Sequence, residues 1–331
     1  MLAFHSDHFV LPLPPGHPFP MGRYAMLREA VRTTLPGVRI HEAEPASDGE
    51  LALAHDPAWI SAVAEGTTST AQQREIGFPW SERMVHRARR SVGATILAAR
   101  AALAGEGVAG NLAGGTHHAY AHKGSGYCVF NDVAIAARLM QAEHHRRHPR
   151  HPELRVIVID LDVHQGNGTA AIFRDDPSVF TLSMHGARNF PFRKEASDLD
   201  VDLPDGCTDA AYLAALDEAL ATAFARCAAS GDEHGPGLAF YLAGADPHEN
   251  DRLGRLKLSA AGLAERDRRV FGALAARHIP VAVSMAGGYG RDIADTVAIQ
   301  RRTIELAFVA WQVWQQAQGR LRAAAMEQSG A

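Results

Sequence analysis

Within "RVIVIDLDVHQGNG" (155–168) an apolar run carries Asp160, Asp162 and His164 on alternate positions and then breaks into a glycine loop. Asp162 and His164 are two residues apart, so on a strand they share a face and can reach one ion. A further carboxylate, Asp246 in "AGADPHEND", supplies a third possible ligand. Two carboxylates and one imidazole leave a coordination position open, the arrangement of catalytic rather than structural zinc. For Asp246 alone, capping a helix or turn explains the residue equally well. Ionised carboxylates at the end of an apolar strand, however, need a cation or partner to offset several kcal/mol of desolvation. The three together favour a metal.

His117 and His118 follow paired glycines in "AGGTHHA". Imidazole titrates near neutral pH and can take a proton from water and return it to a leaving amine. Tyr289, in "AGGYGRD", can aim its O–H at a developing oxyanion, with flanking glycines free to let it swing into place. By itself "GGYG" is more often only a turn. Combined, these groups point to metal-assisted hydrolysis of an amide, the ion polarising the carbonyl and lowering the pKa of its bound water to about 7.

Such groups need a frame that converges them. Short apolar runs predict strands at 108–112, 155–161, 179–183, 238–242 and 281–285. Helical patterns alternate with them at 81–103, 133–143, 209–229, 259–278 and 293–318. In the third of these helices Leu213, Leu216, Leu220 and Phe224 recur at steps of three and four and form one apolar stripe. Ser81, Thr208 and Ser259 sit where N-caps are wanted. The alternation predicts an α/β fold, a mostly parallel sheet with helices on both faces in three layers. No linker divides the chain, so one domain over 1–331 is expected, with the last ~10 residues a flexible tail. The clusters best equipped for chemistry each follow a strand, and open parallel sheets bind ligands beyond the carboxyl ends of their strands.

The formal net charge of -4 comes from 33 basic and 37 acidic residues scattered along the chain, which argues against a nucleic-acid footprint. The basic "HHRRHPRH" (144–151) reads as the solvated end of a helix and its following loop. Cys128, Cys207 and Cys227 have no paired or metal-type spacing, which fits a reducing compartment, and none reads as a nucleophile. No signal-peptide pattern or membrane-length apolar run is present, and a cytoplasmic location is expected. The proline-rich "LPLPPGHPFP" near the start predicts a rigid loop.

The motifs "GGTHHA", "GYCVFNDVAIAA", "DLDVHQGNGT", "AGADPHENDRLGRLKLS" and "AGGYG", in that order, resemble the zinc-dependent histone deacetylase family, whose fold is arginase-like. "HQGNG" and "GADPHENDRLGRL" are most similar to its class IV branch and bacterial homologues. The resemblance implies Asp162, His164 and Asp246 as ligands to one zinc ion, or ferrous iron, with His118 as general base and acid. It makes His117 the electrostatic partner, held by Asp160, and Tyr289 the oxyanion donor. It implies that Gly126, Tyr127 and Phe190 line an acyl-lysine channel. It further implies a structural potassium ion bound by Asp160, Asp162, His164, Ser183 and Met184. Arginase-type relatives carry a second carboxylate where Gly166 stands, so a single catalytic metal is expected.

One position departs from the pattern. The classes best known for acting on histones have aspartate where this chain has Asn167. Asparagine still accepts the His118 ring N–H and fixes its tautomer, but it brings no charge. The resemblance implies removal of acyl groups from protein or peptide lysine side chains, with zinc as cofactor. A small acylated amine such as an acetylpolyamine is the rival substrate, and it would favour a constricted, acidic mouth. A catalytically silent acyl-binding protein is a further reading, disfavoured by the presence of every catalytic group. A nucleotide-binding sheet fails because the glycine turns lack the spaced fingerprint and the acid about 20 residues on.

Overall fold

A computed structural model describes residues 1–8, 10–229 and 235–329, with side chains to residue 321. Its centre is an eight-stranded, all-parallel sheet in the order β2-β1-β3-β8-β7-β4-β5-β6. The strands are β1 (Leu2–His5), β2 (Arg39–Glu42), β3 (Val108–Asn111), β4 (Val156–Asp160), β5 (Val179–Gly186), β6 (Leu199–Leu203), β7 (Leu238–Leu242) and β8 (Val281–Ser284). The five expected strands are β3, β4, β5, β7 and β8. They are apolar and buried on both faces, as a parallel sheet under helices requires. The other three, β1, β2 and β6, are additions to the sequence reading. They are four or five residues long, and β2 and β6 lie at the sheet edges, largely exposed or half-exposed, which erases the apolar run.

Among the described residues ten α-helices accompany the sheet: α1 (Arg23–Thr34), α2 (Asp48–Leu51), α3 (Pro57–Glu65), α4 (Thr70–Ile76), α5 (Glu82–Ala101), α6 (Asp132–Arg147), α7 (Asn167–Phe173), α8 (Asp209–Ala229), α9 (Ala260–Ala275) and α10 (Ile293–Ser329). Alternate residues of one strand feed opposite layers. Ile157 and Ile159 of β4 pack with α8, α9 and α10 through Leu216, Leu263 and Ile304. Val156 and Val158 pack with α5 and α6 through Val92 and Val133. Ser81 and Ser259 cap α5 and α9, accepting from the Met84 and Gly262 amides. At α8, Thr208 contributes its backbone carbonyl to the Tyr212 amide.

The "HHRRHPRH" segment is the exposed last turn of α6 and the loop beyond it. Where the flexible tail is expected, the α10 backbone runs on to Ser329, and the side chains from 322 and residues 330–331 lie outside those described. No helix among the described residues is long and apolar enough to cross a membrane.

The order places β3, β8, β7 and β4 side by side at the middle of the sheet. Because all run the same way, their carboxyl ends meet on one edge. The segments beyond those ends carry His117 and His118, Tyr289, Asp246, and Asp162 with His164, in that spatial order.

Candidate active site

Strand β4 stops at Asp160, and carboxylates at its end direct the turn beyond it. Asp160 Oδ1 accepts the Asp162 amide at 3.2 Å, and Asp162 Oδ1 accepts the His164 amide at 2.9 Å. The three residues therefore do not share one strand face. Asp160 turns to His117, with Oδ2 2.6 Å from Nδ1, while Asp162 and His164 meet Asp246 from the end of β7. Ligand atoms of Asp162, His164 and Asp246 all lie within 4.8 Å of one another, in a fully buried cluster.

This donor set fits a divalent cation. His164 Nδ1 lies 2.9 Å from Asp162 Oδ1 and 3.3 Å from Asp246 Oδ2, yet Asp246 Oδ2 has no hydrogen-bond partner. The remaining carboxylate oxygens are satisfied by backbone amides, Val163 to Asp246 Oδ1 at 2.9 Å and Gly287 to Asp162 Oδ2 at 2.7 Å. A fully buried orphan oxygen beside a second carboxylate needs a positive charge. Burial and the Asp162 charge push Asp246 up to about 7. Burial alone would lower His164, but the Asp162 and Asp246 carboxylates raise it to about 10. A proton on this imidazole thus stands where a metal would bind, and metal uptake would release it. Nitrogen and carboxylate donors with an open position suit zinc or ferrous iron.

Two glycines make the pocket this tight. A Cβ on Gly287 would sit 1.9 Å from Asp246 Oδ2, and one on Gly166 would sit 2.3 Å from Asp160 Oδ2. The second contact leaves no room for the extra carboxylate of a two-metal centre at Gly166.

The adjacent histidines have opposite electrostatics. His117 is buried, which would lower its pKa, but the carboxylates of Asp160 and Asp162 outweigh this and raise it to about 9. His118 is pushed well below its ordinary value by burial, then by the positive charges of His117 and His164. Its Nδ1 lies 2.6 Å from Asn167 Oδ1. The Asn167 amide is oriented by Tyr120, whose hydroxyl accepts from Nδ2 at 2.9 Å and donates to Glu195 Oε1 at 3.2 Å. His118 Nδ1 must then carry its proton toward Asn167, leaving Nε2 as a free base.

Tyr289 is buried, and burial sets its pKa well above the ordinary tyrosine value, so it is a neutral O–H donor. The expected swing is not what its glycines serve. Gly288 has φ 154°, and its Cβ would lie 2.6 Å from Thr296. The loop is pinned: Arg23 donates to the Ala286 and Gly288 carbonyls at 2.7 Å each, and Asp251 Oδ2 accepts the Tyr289 amide at 2.6 Å. Arg252 Nε donates to the Tyr289 carbonyl at 3.0 Å. Those glycines allow close approach rather than motion.

Above the cluster opens a tunnel of about 260 Å³ whose walls include Gly126, Tyr127, Phe190, Ile76 and Leu253, with His118, His164 and Tyr289 at its base. Phe190 stands edge-on to His118 at 4.9 Å. Gly126 has φ 52°, and a Cβ there would meet His118 at 2.5 Å, so glycine is needed for this packing. Of the expected potassium ligands, Asp160 pairs in register with Ser183 on the neighbouring strand, beside Met184, while Asp162 and His164 lie in the turn beyond β4; Ser183 Oγ lies 3.0 Å from His185 Nδ1. Burial pushes the Cys128 thiol pKa up, consistent with no nucleophilic role.

Every site residue read from the sequence is therefore placed at this edge. Sequence reasoning missed Tyr120, Arg23, Asp251 and Arg252. Asp251 and Arg252 had a signal, since both fall within the quoted "AGADPHENDRLGRLKLS", where Asp251 is the third acid of "DPHEND".

Residues 17–301 match the histone deacetylase domain. The chain belongs to the histone deacetylase family. Among its relatives, an uncharacterised protein of Picosynechococcus sp. is 41% identical over 298 residues, covering 89% of this chain and 94% of the relative. Histone deacetylase 2 of Arabidopsis thaliana is 33% identical over 269 residues, covering 78% of this chain and 65% of that protein. The fold is shared with acetylpolyamine aminohydrolase from Burkholderia pseudomallei, with a TM-score of 0.70 at 22% identity, covering 92% of this chain and 98% of that structure.

Proposed function

We propose that the protein is a metal-dependent deacylase that hydrolyses the amide of acylated lysine side chains, with zinc as its cation. The observation that carries this reading is the buried Asp162–His164–Asp246 cluster at the base of the tunnel, beside a neutral His118 and the Tyr289 hydroxyl. When bound, the cation supplies Lewis acidity to the carbonyl and acidifies water.

The chain's own residues do the rest. Tyr127 and Phe190 flank the aliphatic stem of the substrate lysine and exclude water from it. His118 Nε2 takes a proton from the attacking water and delivers it to the leaving amine. Asn167 holds the tautomer that makes this possible. His117, charged and fixed by Asp160, adds a positive field beside the developing oxyanion. Tyr289 donates its O–H to that oxyanion, an effect worth about 10²- to 10³-fold in rate. A structural potassium ion at Asp160, Ser183 and Met184 would brace β4 against β5.

The tunnel mouth favours a lysine over a polyamine. Glu75 lines it but is paired with Lys123 at 2.7 Å, and Arg74 lines it too. A polycation finds no unneutralised acid there. The test is metal analysis of the purified protein followed by assay of zinc-loaded and iron-loaded samples on acetyl- and longer acyl-lysine peptides and on acetylpolyamines. Turnover of the peptides is expected; a metal-loaded sample that cleaves none of these substrates refutes the reading.

A further inference from the structure

A second cavity, of about 40 Å³, adjoins the site and shares His118, Tyr127, His164 and Tyr289 with the tunnel. A space of that size holds about three water-sized atoms, each needing roughly 10–15 Å³. Its lining also includes Arg23, Tyr24, Arg87, His117 and the metal-cluster residue Asp162, so two guanidiniums face one small chamber together with a carboxylate that belongs to the metal cluster.

Arg23 is 2% exposed. Its Nη atoms donate only to neutral acceptors, the Gly288 and Ala286 carbonyls at 2.7 Å and the Tyr24 hydroxyl at 2.9 Å. Its Nε has no partner. The Arg87 guanidinium lies 4.7 Å from the Tyr24 ring centre and 5.4 Å from that of Phe19. Among the described residues neither arginine is paired with a carboxylate. Burial would raise the Tyr24 pKa, yet the charges of Arg23 and Arg87 bring it below the ordinary value. Arg23 feels the Asp246 carboxylate through space but has no carboxylate in hydrogen-bond contact, and its donor fork matches one.

We infer that this chamber receives the distal carboxylate of a short dicarboxylic acyl group, so that malonyl- or succinyl-lysine belongs to the substrate class. The inference rests on the deacylase reading. The Arg23 guanidinium carbon lies 5.9 Å from the Tyr289 ring, so the positive wall begins within one short acyl chain of the group that faces the scissile carbonyl. Three atoms' room matches a carboxylate and excludes long chains. In the reaction the water oxygen bonds to the acyl carbon, the amide C–N bond breaks and a proton goes to the lysine amine. The second product is malonate or succinate, and no redox partner is needed.

The test compares one peptide bearing succinyl-lysine with the same peptide bearing butyryl-lysine, four acyl carbons each. Binding is measured calorimetrically on zinc-loaded Tyr289→Phe protein, in which turnover is slow. Succinyl is expected to bind at least tenfold more tightly, with the advantage lost when Arg87→Met is added and partly kept with Arg87→Lys. Equal or tighter butyryl binding overturns the inference, as does a succinyl advantage that survives Arg87→Met. Hydrolysis of the acetyl, butyryl and succinyl peptides by the unmodified protein is followed in parallel. If the zinc-loaded unmodified protein cleaves none of them, the deacylase reading falls and this inference with it; cleavage of any of them without a succinyl binding preference strikes down only the inference.

Discussion

Replacing Asn167 by aspartate tests the electrostatic design of the base. Asn167 Oδ1 lies 2.6 Å from His118 Nδ1, and neither residue is exposed. Asn167→Asp preserves shape and places a negative charge about 5 Å from the centre of the imidazolium charge, worth roughly 3 kcal/mol at an effective dielectric constant of about 20. That is about two pKa units upward for His118, inside the 1–3 units usual for a close opposite charge. In the native protein burial and the charges of His117 and His164 hold His118 well below its ordinary value, so it is unprotonated at neutral pH. The base must be neutral to act. Activity is therefore lost as pH falls through the His118 pKa, and raising that pKa moves the acidic limb of kcat/KM upward. The substitution also costs the amide bond to Tyr120, whose hydroxyl must then choose between the introduced carboxylate oxygen and Glu195. The assay is the pH profile of kcat/KM on one acyl-lysine peptide for both proteins. An acidic limb that stays put refutes the assignment of His118 as the titrating base tuned by residue 167.

Three further outcomes are expected. Gly287→Ala drives a methyl to 1.9 Å from Asp246 Oδ2, so the purified variant should keep its helical circular dichroism yet lose most of its bound metal by elemental analysis. Tyr289→Phe should lower kcat by about 10²- to 10³-fold with KM nearly unchanged, since the hydroxyl acts mainly in the transition state. Asp251→Asn replaces an oxygen that accepts the Tyr289, Leu253 or Gly254 amides, a charge-assisted set worth about 1.5–3 kcal/mol per bond, and steady-state kinetics should show kcat falling about tenfold or more.

The sequence revealed the site's groups more fully than the forces that arrange them. The strand β4 was legible because VIVID is apolar on both faces, and the polar ends of four strands were legible because parallel strands share an edge. Parity, however, put Asp160, Asp162 and His164 on one face, whereas side-chain bonds to the chain's own amides end the strand at Asp160 and send that carboxylate to His117. β2 and β6 are largely exposed or half-exposed edge strands without an apolar run, and the pairing of β1, β2 and β6 is decided by neighbours far along the chain. Arg23 meets the Tyr289 loop across 263 and 265 residues, and Tyr120 meets Glu195 across 75. Nothing local marks such contacts. The flanking glycines of Tyr289 suggested motion because a sequence shows conformational freedom but not the atoms that remove it.

Charge neutrality explains why an asparagine suits position 167. Asp160, Asp162 and Asp246 bring three negative charges into a buried volume. A charged His117 and a bound divalent cation would bring three positive charges, which would balance these three carboxylates with His118 uncharged. An aspartate at 167 would add a fourth negative charge, and neutrality would then require a proton on His118 before the reaction begins. Low dielectric makes such imbalance expensive, so the residue beside His118 and the resting protonation of His118 cannot be chosen independently. On the proposed mechanism, asparagine lets the imidazole start as a base and become charged only when it takes the proton from water. On the same mechanism the positive charge then appears near the Asp162 carboxylate as an oxyanion forms. The neutral amide thus places the electrostatic gain in the transition state rather than in the ground state, which is where it accelerates the reaction.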